Sequence, residues 1–94
     1  MKVRVWRYLV AADARPEFEQ EYGPEGSWAR LFATSPGFLD TSLYAEVARP
    51  GIYVTIDRFR TGADWEVFRD EQDLAYTATS DRLSHLTVEQ DELV

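Results

Sequence analysis

Residues 2–12 alternate with a period of two, and both alternating sets are apolar. Val3, Val5, Arg7 and Leu9 fall on one side, and Trp6, Tyr8 and Val10 on the other. β-Branched and aromatic residues at that period predict a strand. A sheet with one wet face alternates apolar with polar residues, so this strand is expected to be covered on both sides. That requirement is severe for a chain of 94 residues. A domain of this size buries only roughly 60–65% of the surface that its unfolded chain exposes. Small domains gain further stability from disulfides, a structural metal or a partner subunit. The chain has no cysteine and one histidine. Disulfides, thiolate chemistry and a multi-histidine metal site are therefore excluded, and no metal is expected. Self-association is what remains.

The rest of the chain reads as one domain, 1–94, without a linker-like stretch or internal repeat. Asp13 and Pro16 mark a helix start, since proline is tolerated only in the first turn. Phe18 and Tyr22 share a face of that helix, Gly23-Pro24 interrupts it, and Trp28, Leu31 and Phe32 share a face of the next. Ser35-Pro36-Gly37 ends this segment. Residues 38–48 and 52–60 read as strands joined at Arg49-Pro50-Gly51, a connection that permits only an antiparallel hairpin. A two- or four-residue loop places Leu43, Ala45 and Val47 beside Val54 and Ile56, with Tyr44, Tyr53, Thr55, Asp57 and Phe59 on the other face. Thr61-Gly62-Ala63-Asp64 is a capping signal for a long helical segment. Its apolar stripe carries Trp65, Phe68, Ala75, Tyr76, Thr79 and Leu83, leaving Glu66, Arg69, Asp70 and Asp73 outside. Residues 86–94 fit either a capped turn at Thr87-x-x-Gln90 or a short last strand. The order predicts an α+β fold of the ferredoxin-like split βαβ kind, with helices on one face of an antiparallel sheet and the other face bare. Two copies packed sheet to sheet would cover that face, through either Trp6 and Tyr8 or a Leu43, Ala45, Val47 and Ile56 patch. Exchange of the weak last strand between copies is the rival arrangement.

Seventeen acids against ten bases give a net charge of −7. That field repels polyanions, and no basic run or phosphate loop opposes it, so no nucleic-acid partner is expected. The N-terminus interleaves charges with its apolar residues, unlike a signal peptide, and no stretch has a membrane span's length. The expectation is a cytoplasmic protein with no membrane partner.

The segment Phe18-Glu19-Gln20-Glu21-Tyr22-Gly23-Pro24-Glu25-Gly26-Ser27-Trp28-Ala29, then Pro36-Gly37-Phe38-Leu39, Tyr53-Val54-Thr55-Ile56-Asp57-Arg58-Phe59 and the Trp65…Phe68 pair, carry a likeness in that order. Together they resemble the dimeric α/β-barrel superfamily, specifically the antibiotic biosynthesis monooxygenase-like small proteins. The resemblance runs to about Thr87 and implies a homodimer with a pocket between each sheet and its helices. Quinone-forming members work without a cofactor and use an Asn and a Trp four apart on strand three, with an aromatic following on the helix. The matching positions resemble Thr55, Phe59 and Trp65. Haem-degrading members use an Asn on strand one and a His on the last long helix, where this chain offers Arg7 and the stretch Ala75 to Thr79. No asparagine occurs anywhere in the chain, so neither catalytic set is present as the family writes it.

Arg7 and Asp57 are the candidate catalytic residues. A charge in the middle of an apolar strand is costly to bury alone, and strands one and three are neighbours in this topology. If both side chains point toward the helices they form a charged pair in an aromatic cavity, where the guanidinium would orient an anionic or carbonyl-bearing substrate. A structural ion pair, or an arginine that snorkels to the sheet edge, is the competing reading. Tyr22, Trp28, Phe32, Tyr53, Thr55, Phe59, Trp65, Phe68 and Tyr76 are the expected substrate-binding set, with Tyr53 or Tyr76 as hydrogen-bond donors. Most of these aromatics also suit a plain core. A flat aromatic or polyketide-like molecule is the expected ligand, and no cofactor is expected. His85 and the pairs Asp70/Glu71 and Asp91/Glu92 read as surface groups. The functional alternatives are a cofactor-independent monooxygenase and a non-catalytic, small-molecule-binding or stress-associated dimer.

Overall fold

The computed structural model describes residues 1–94. Strand β1 (Lys2–Leu9) leads through a 3-10 turn (Ala12–Ala14) into helices α1 (Arg15–Tyr22) and α2 (Ser27–Phe32). Strands β2 (Phe38–Ala45) and β3 (Ile52–Phe59) follow, then α3 (Gly62–Glu71), α4 (Asp73–Leu83), a 3-10 turn (Ser84–Leu86) and β4 (Glu89–Glu92). The sheet order is β2-β3-β1-β4, antiparallel throughout. This is the expected α+β, ferredoxin-like arrangement. Of the two readings of residues 86–94, the strand is the one adopted: the Val88 amide donates to the Leu9 carbonyl at 2.8 Å and β4 pairs with the edge of β1.

The hairpin corrects the expected side-chain parity. The Glu46 amide donates to the Ile52 carbonyl, which leaves residues 47–51 as an odd-numbered loop. One residue more or less than an even loop turns every side chain of a strand to the opposite face. Leu43 therefore lies across from Thr55, and Ala45 from Tyr53, toward the helices. Tyr44 lies across from Val54 on the bare face and is 57% exposed, and Val47 projects fully into solvent. The loop closes at Gly51, whose φ of +92° favours glycine, and a Cβ there would come within 2.8 Å of the Val10 carbonyl oxygen. The single long helix expected after Thr61 is also corrected. It breaks at Gln72, whose φ of −108° and ψ of 24° lie outside the helical well, giving α3 and α4.

Two aromatic-rich clusters fill the space between helices and sheet. Tyr8, Val10, Phe18, Tyr22, Tyr53, Leu83 and Leu86 form one, and Phe32, Phe59 and Phe68 the other, with Trp28 touching both. Phe18 stacks on Tyr22 at 4.2 Å between ring centres, and Phe59 meets Trp65 edge-on at 5.3 Å. Phe18 and Tyr22, four apart on α1, and Trp65 and Phe68, three apart on α3, thus pack into this layer as their spacing implies. No helix is long and apolar enough to cross a membrane.

Candidate functional site

The register of the central strands places three rows of side chains under the helices. Arg4 stands across from Asp57, and Asp57 across from Thr41. The next row is Leu43, Thr55, Trp6 and Glu92, and the next Ala45, Tyr53, Tyr8 and Gln90. A cavity of about 160 Å³ opens above these rows. Tyr22, Trp28, Phe32 and Tyr76 wall it, and Ser80, Ser84 and residues 87–90 form its mouth.

Arg4 and Asp57 are 5% exposed each and form the polar floor, with Arg4 Nη1 3.5 Å from Asp57 Oδ2. Arg4 Nη2 reaches the Tyr76 hydroxyl at 3.5 Å and lies 3.8 Å from Glu92 Oε2. The guanidinium carbon stands 4.0 Å from the centre of the Trp65 ring and 5.8 Å from that of Trp6, a cation–π geometry that favours a desolvated cation. Thr41 donates its hydroxyl to Asp57 Oδ1 at 2.8 Å. Burial pushes the Asp57 carboxyl above the usual range; the Thr41 hydrogen bond and the Arg4 charge oppose that shift without cancelling it. Burial likewise raises the hydroxyls of Tyr8, which accepts from Thr55 at 3.4 Å, and of Tyr22, beside the Trp28 indole. Both phenols stay protonated at neutral pH and can donate a hydrogen bond to a ligand. The buried Trp28 indole N–H approaches Tyr22 without completing a hydrogen bond.

The expected pairing of Arg7 with Asp57 is corrected. Arg7 lies across from Val54 on the bare face of the sheet, 3.4 Å from Asp91. Arg4 takes the place beside Asp57, because residues of even number on β1 face the helices. The position was readable: the alternation that carries Trp6, Tyr8 and Val10 extends back to residue 4. Of the expected binding residues, Tyr22, Trp28, Phe32, Thr55 and Tyr76 line the cavity. Trp65 stands beneath Arg4 without lining it, while Phe59 and Phe68 are core. Tyr53 is buried in the first cluster and turns its hydroxyl away to Glu19, with burial and that carboxylate pushing it up to about 12. Trp6, Tyr8 and Thr41 also line the cavity, and Glu92 approaches Arg4 from β4; none of the four was expected among the binding residues. No group of three or more His, Asp or Glu side chains is gathered in a way that could hold a metal ion. Chemically, the floor can hold an anion at Arg4 and take a proton at Asp57, against aromatic walls.

No family model matches the sequence, and no curated protein matches it either. Solved structures do. An Asn-to-Ala mutant of SnoaB, a cofactor-independent oxygenase from Streptomyces nogalater, superposes with a TM-score of 0.71 at 22% identity, over 98% of this chain and 89% of that one. An antibiotic biosynthesis monooxygenase matches at 0.66 and 12% identity, over 99% of this chain and 94% of that one. An Arg-to-Ser mutant of MhuD, with two manganese protoporphyrin IX bound per active site, matches at 0.68 and 21% identity, over 97% of this chain and 88% of that one. The chain has the fold of the antibiotic biosynthesis monooxygenase-like proteins, as the resemblance implies.

Proposed function

We propose that this chain is a homodimeric, cofactor-independent monooxygenase acting on a small hydroxylated or enolic aromatic molecule held above Arg4 and Asp57. The observation that carries this reading is the buried Arg4–Asp57 pair at the floor of an aromatic-walled cavity. Perturbed carboxyls beside a charge partner in a cleft mark sites of chemistry more often than chance. Asp57, with its raised affinity for a proton, is the general base. It removes the proton of the substrate's hydroxyl or of the carbon opposite it. Arg4, with the Tyr76 hydroxyl, holds the resulting anion. The anion gives its electrons to dioxygen and bonds to it at carbon, and the peroxide takes back the proton from Asp57. Loss of water from the hydroperoxide leaves a carbonyl, so one oxygen atom ends in product and one in water, and no external reductant is consumed.

Enzyme-dependent oxygen uptake with dihydroxy-aromatic substrates, above their spontaneous oxidation, tests the reading. Asp57→Asn should lower the rate by about a hundredfold, the scale of a positioned general base. No uptake, together with ligand binding unchanged in Arg4→Ala, would overturn it. The second reading, a non-catalytic binding dimer, is favoured by the absence of any asparagine, the residue that the resemblance assigns to catalysis. It predicts saturable quenching of Trp28 and Trp65 fluorescence without turnover.

A further inference from the structure

We infer that the ligand of this cavity is electrically neutral when it enters and presents a single ring to the floor, and that fixed carboxylates are rejected by Glu92. The inference rests on the reading of the cavity as the binding site and deepens it. Two observations carry it, one of size and one of charge. The cavity holds about 160 Å³. That is close to the ~150 Å³ of an engineered apolar cavity that accepts benzene, and well short of the roughly 300 Å³ at which drug-sized pockets begin. One ring fits over Arg4; a second fused ring would have to occupy the mouth.

Arg4 is the only cation lining the cavity and it already faces two acids, Asp57 at 3.5 Å and Glu92 at 3.8 Å. With both acids ionised the trio carries a net charge of −1. Glu89 adds another acid to the mouth, on a chain whose net charge is −7. A carboxylate arriving at Arg4 would gain one attraction and meet two like charges at short range, the buried Asp57 and the half-exposed Glu92, which repel it. A neutral phenol or enol meets no such penalty. Its charge arises only after its proton has moved to Asp57, so one negative charge is relocated inside the site and none is added.

Calorimetric titration of the full chain at neutral pH and low salt tests this with three probes: 4-hydroxybenzyl alcohol, 4-hydroxybenzoate and 1,4-dihydroxynaphthalene. The first two differ in charge and share a ring; the third adds a fused ring. The neutral single ring should bind at least about tenfold more tightly than the carboxylate. Glu92→Gln should narrow that gap by raising the carboxylate's affinity more than the neutral ligand's. A carboxylate that binds as well as the alcohol, a gap unchanged in Glu92→Gln, or a fused ring that binds best would overturn this inference and leave the cavity as the binding site. Failure of all three probes to bind would instead overturn the reading of the cavity itself.

Discussion

A guanidinium that is 5% exposed has lost nearly all its water, and the structure compensates with one buried carboxylate, one rim carboxylate and the face of Trp65. Removing one partner of such a pair leaves the other buried and uncompensated, at a cost of roughly 3–5 kcal/mol. Arg4→Met should therefore destabilise the fold by about 3 kcal/mol at neutral pH. The pH dependence follows from Asp57, whose carboxyl is raised in the folded state. A raised carboxyl contributes stability that is fully present below its unfolded value of about 4 and is lost as pH rises through the folded value. Without Arg4 the folded value climbs further, so the loss extends to higher pH. Urea midpoints measured at pH 5 and at pH 7.5 should show the Arg4→Met penalty growing with pH. A penalty that is the same at both would mean that Asp57 is not the group left uncompensated. The pair was only half legible in the sequence. Arg7 stood out as a charge on an apolar strand and Asp57 as its partner on the neighbouring one, but strand parity puts Arg4 beside Asp57 instead.

Elements built from local signals form where the sequence places them, and those defined by distant pairing do not announce themselves. The Thr61 signal is local: its hydroxyl accepts from the Asp64 amide at 3.0 Å and caps α3. Thr61→Ala should cost about 1 kcal/mol, and Thr61→Ser should restore most of it, read as thermal midpoints. Because α3 carries Trp65 beneath Arg4, the alanine variant should also weaken ligand binding in proportion to the fraying of that first turn. A midpoint unchanged in the alanine variant would show that the cap contributes nothing. Strand β4 is the opposite case. Glu89-Gln90-Asp91-Glu92 has little β-propensity and is exposed along its length. What positions it is β1: Asp91 meets Arg7 on one face and Glu92 meets Arg4 on the other. Adjacent acids that read as a solvated pair are separated by the pleat and given different partners. The hairpin parity was illegible for a similar reason. Arg49-Pro50-Gly51 marks a turn, and only the Glu46–Ile52 hydrogen bond shows that the loop has an odd length.

At the scale of the molecule, the helices cover one face of the sheet and leave the other to solvent. That bare face carries Val5 beside Ile56 and Val54 beside Tyr44, all partly exposed, with Leu9 at its end. Arg7–Asp91 and Arg58–Asp40 flank this apolar strip on opposite sides. Of the interface patches expected from the sequence, Trp6, Tyr8, Leu43 and Ala45 face the helices, and only Ile56 stands on the bare sheet face. The prediction of a dimer moves to Val5, Leu9, Tyr44, Val54 and Ile56, where an apolar centre inside a charged rim is the usual anatomy of an interface. A twofold arrangement of two such faces closes on itself and leaves both cavities open on the outer sides. Sedimentation velocity at micromolar concentration should show a dimer, and Val54→Glu should give a monomer whose circular dichroism is unchanged. Two chains of net charge −7 repel one another, so added salt should strengthen the association rather than weaken it. A wild-type chain that stays monomeric at tens of micromolar, or a dimer that dissociates as salt is raised, would show that the strip is not the surface through which two copies meet.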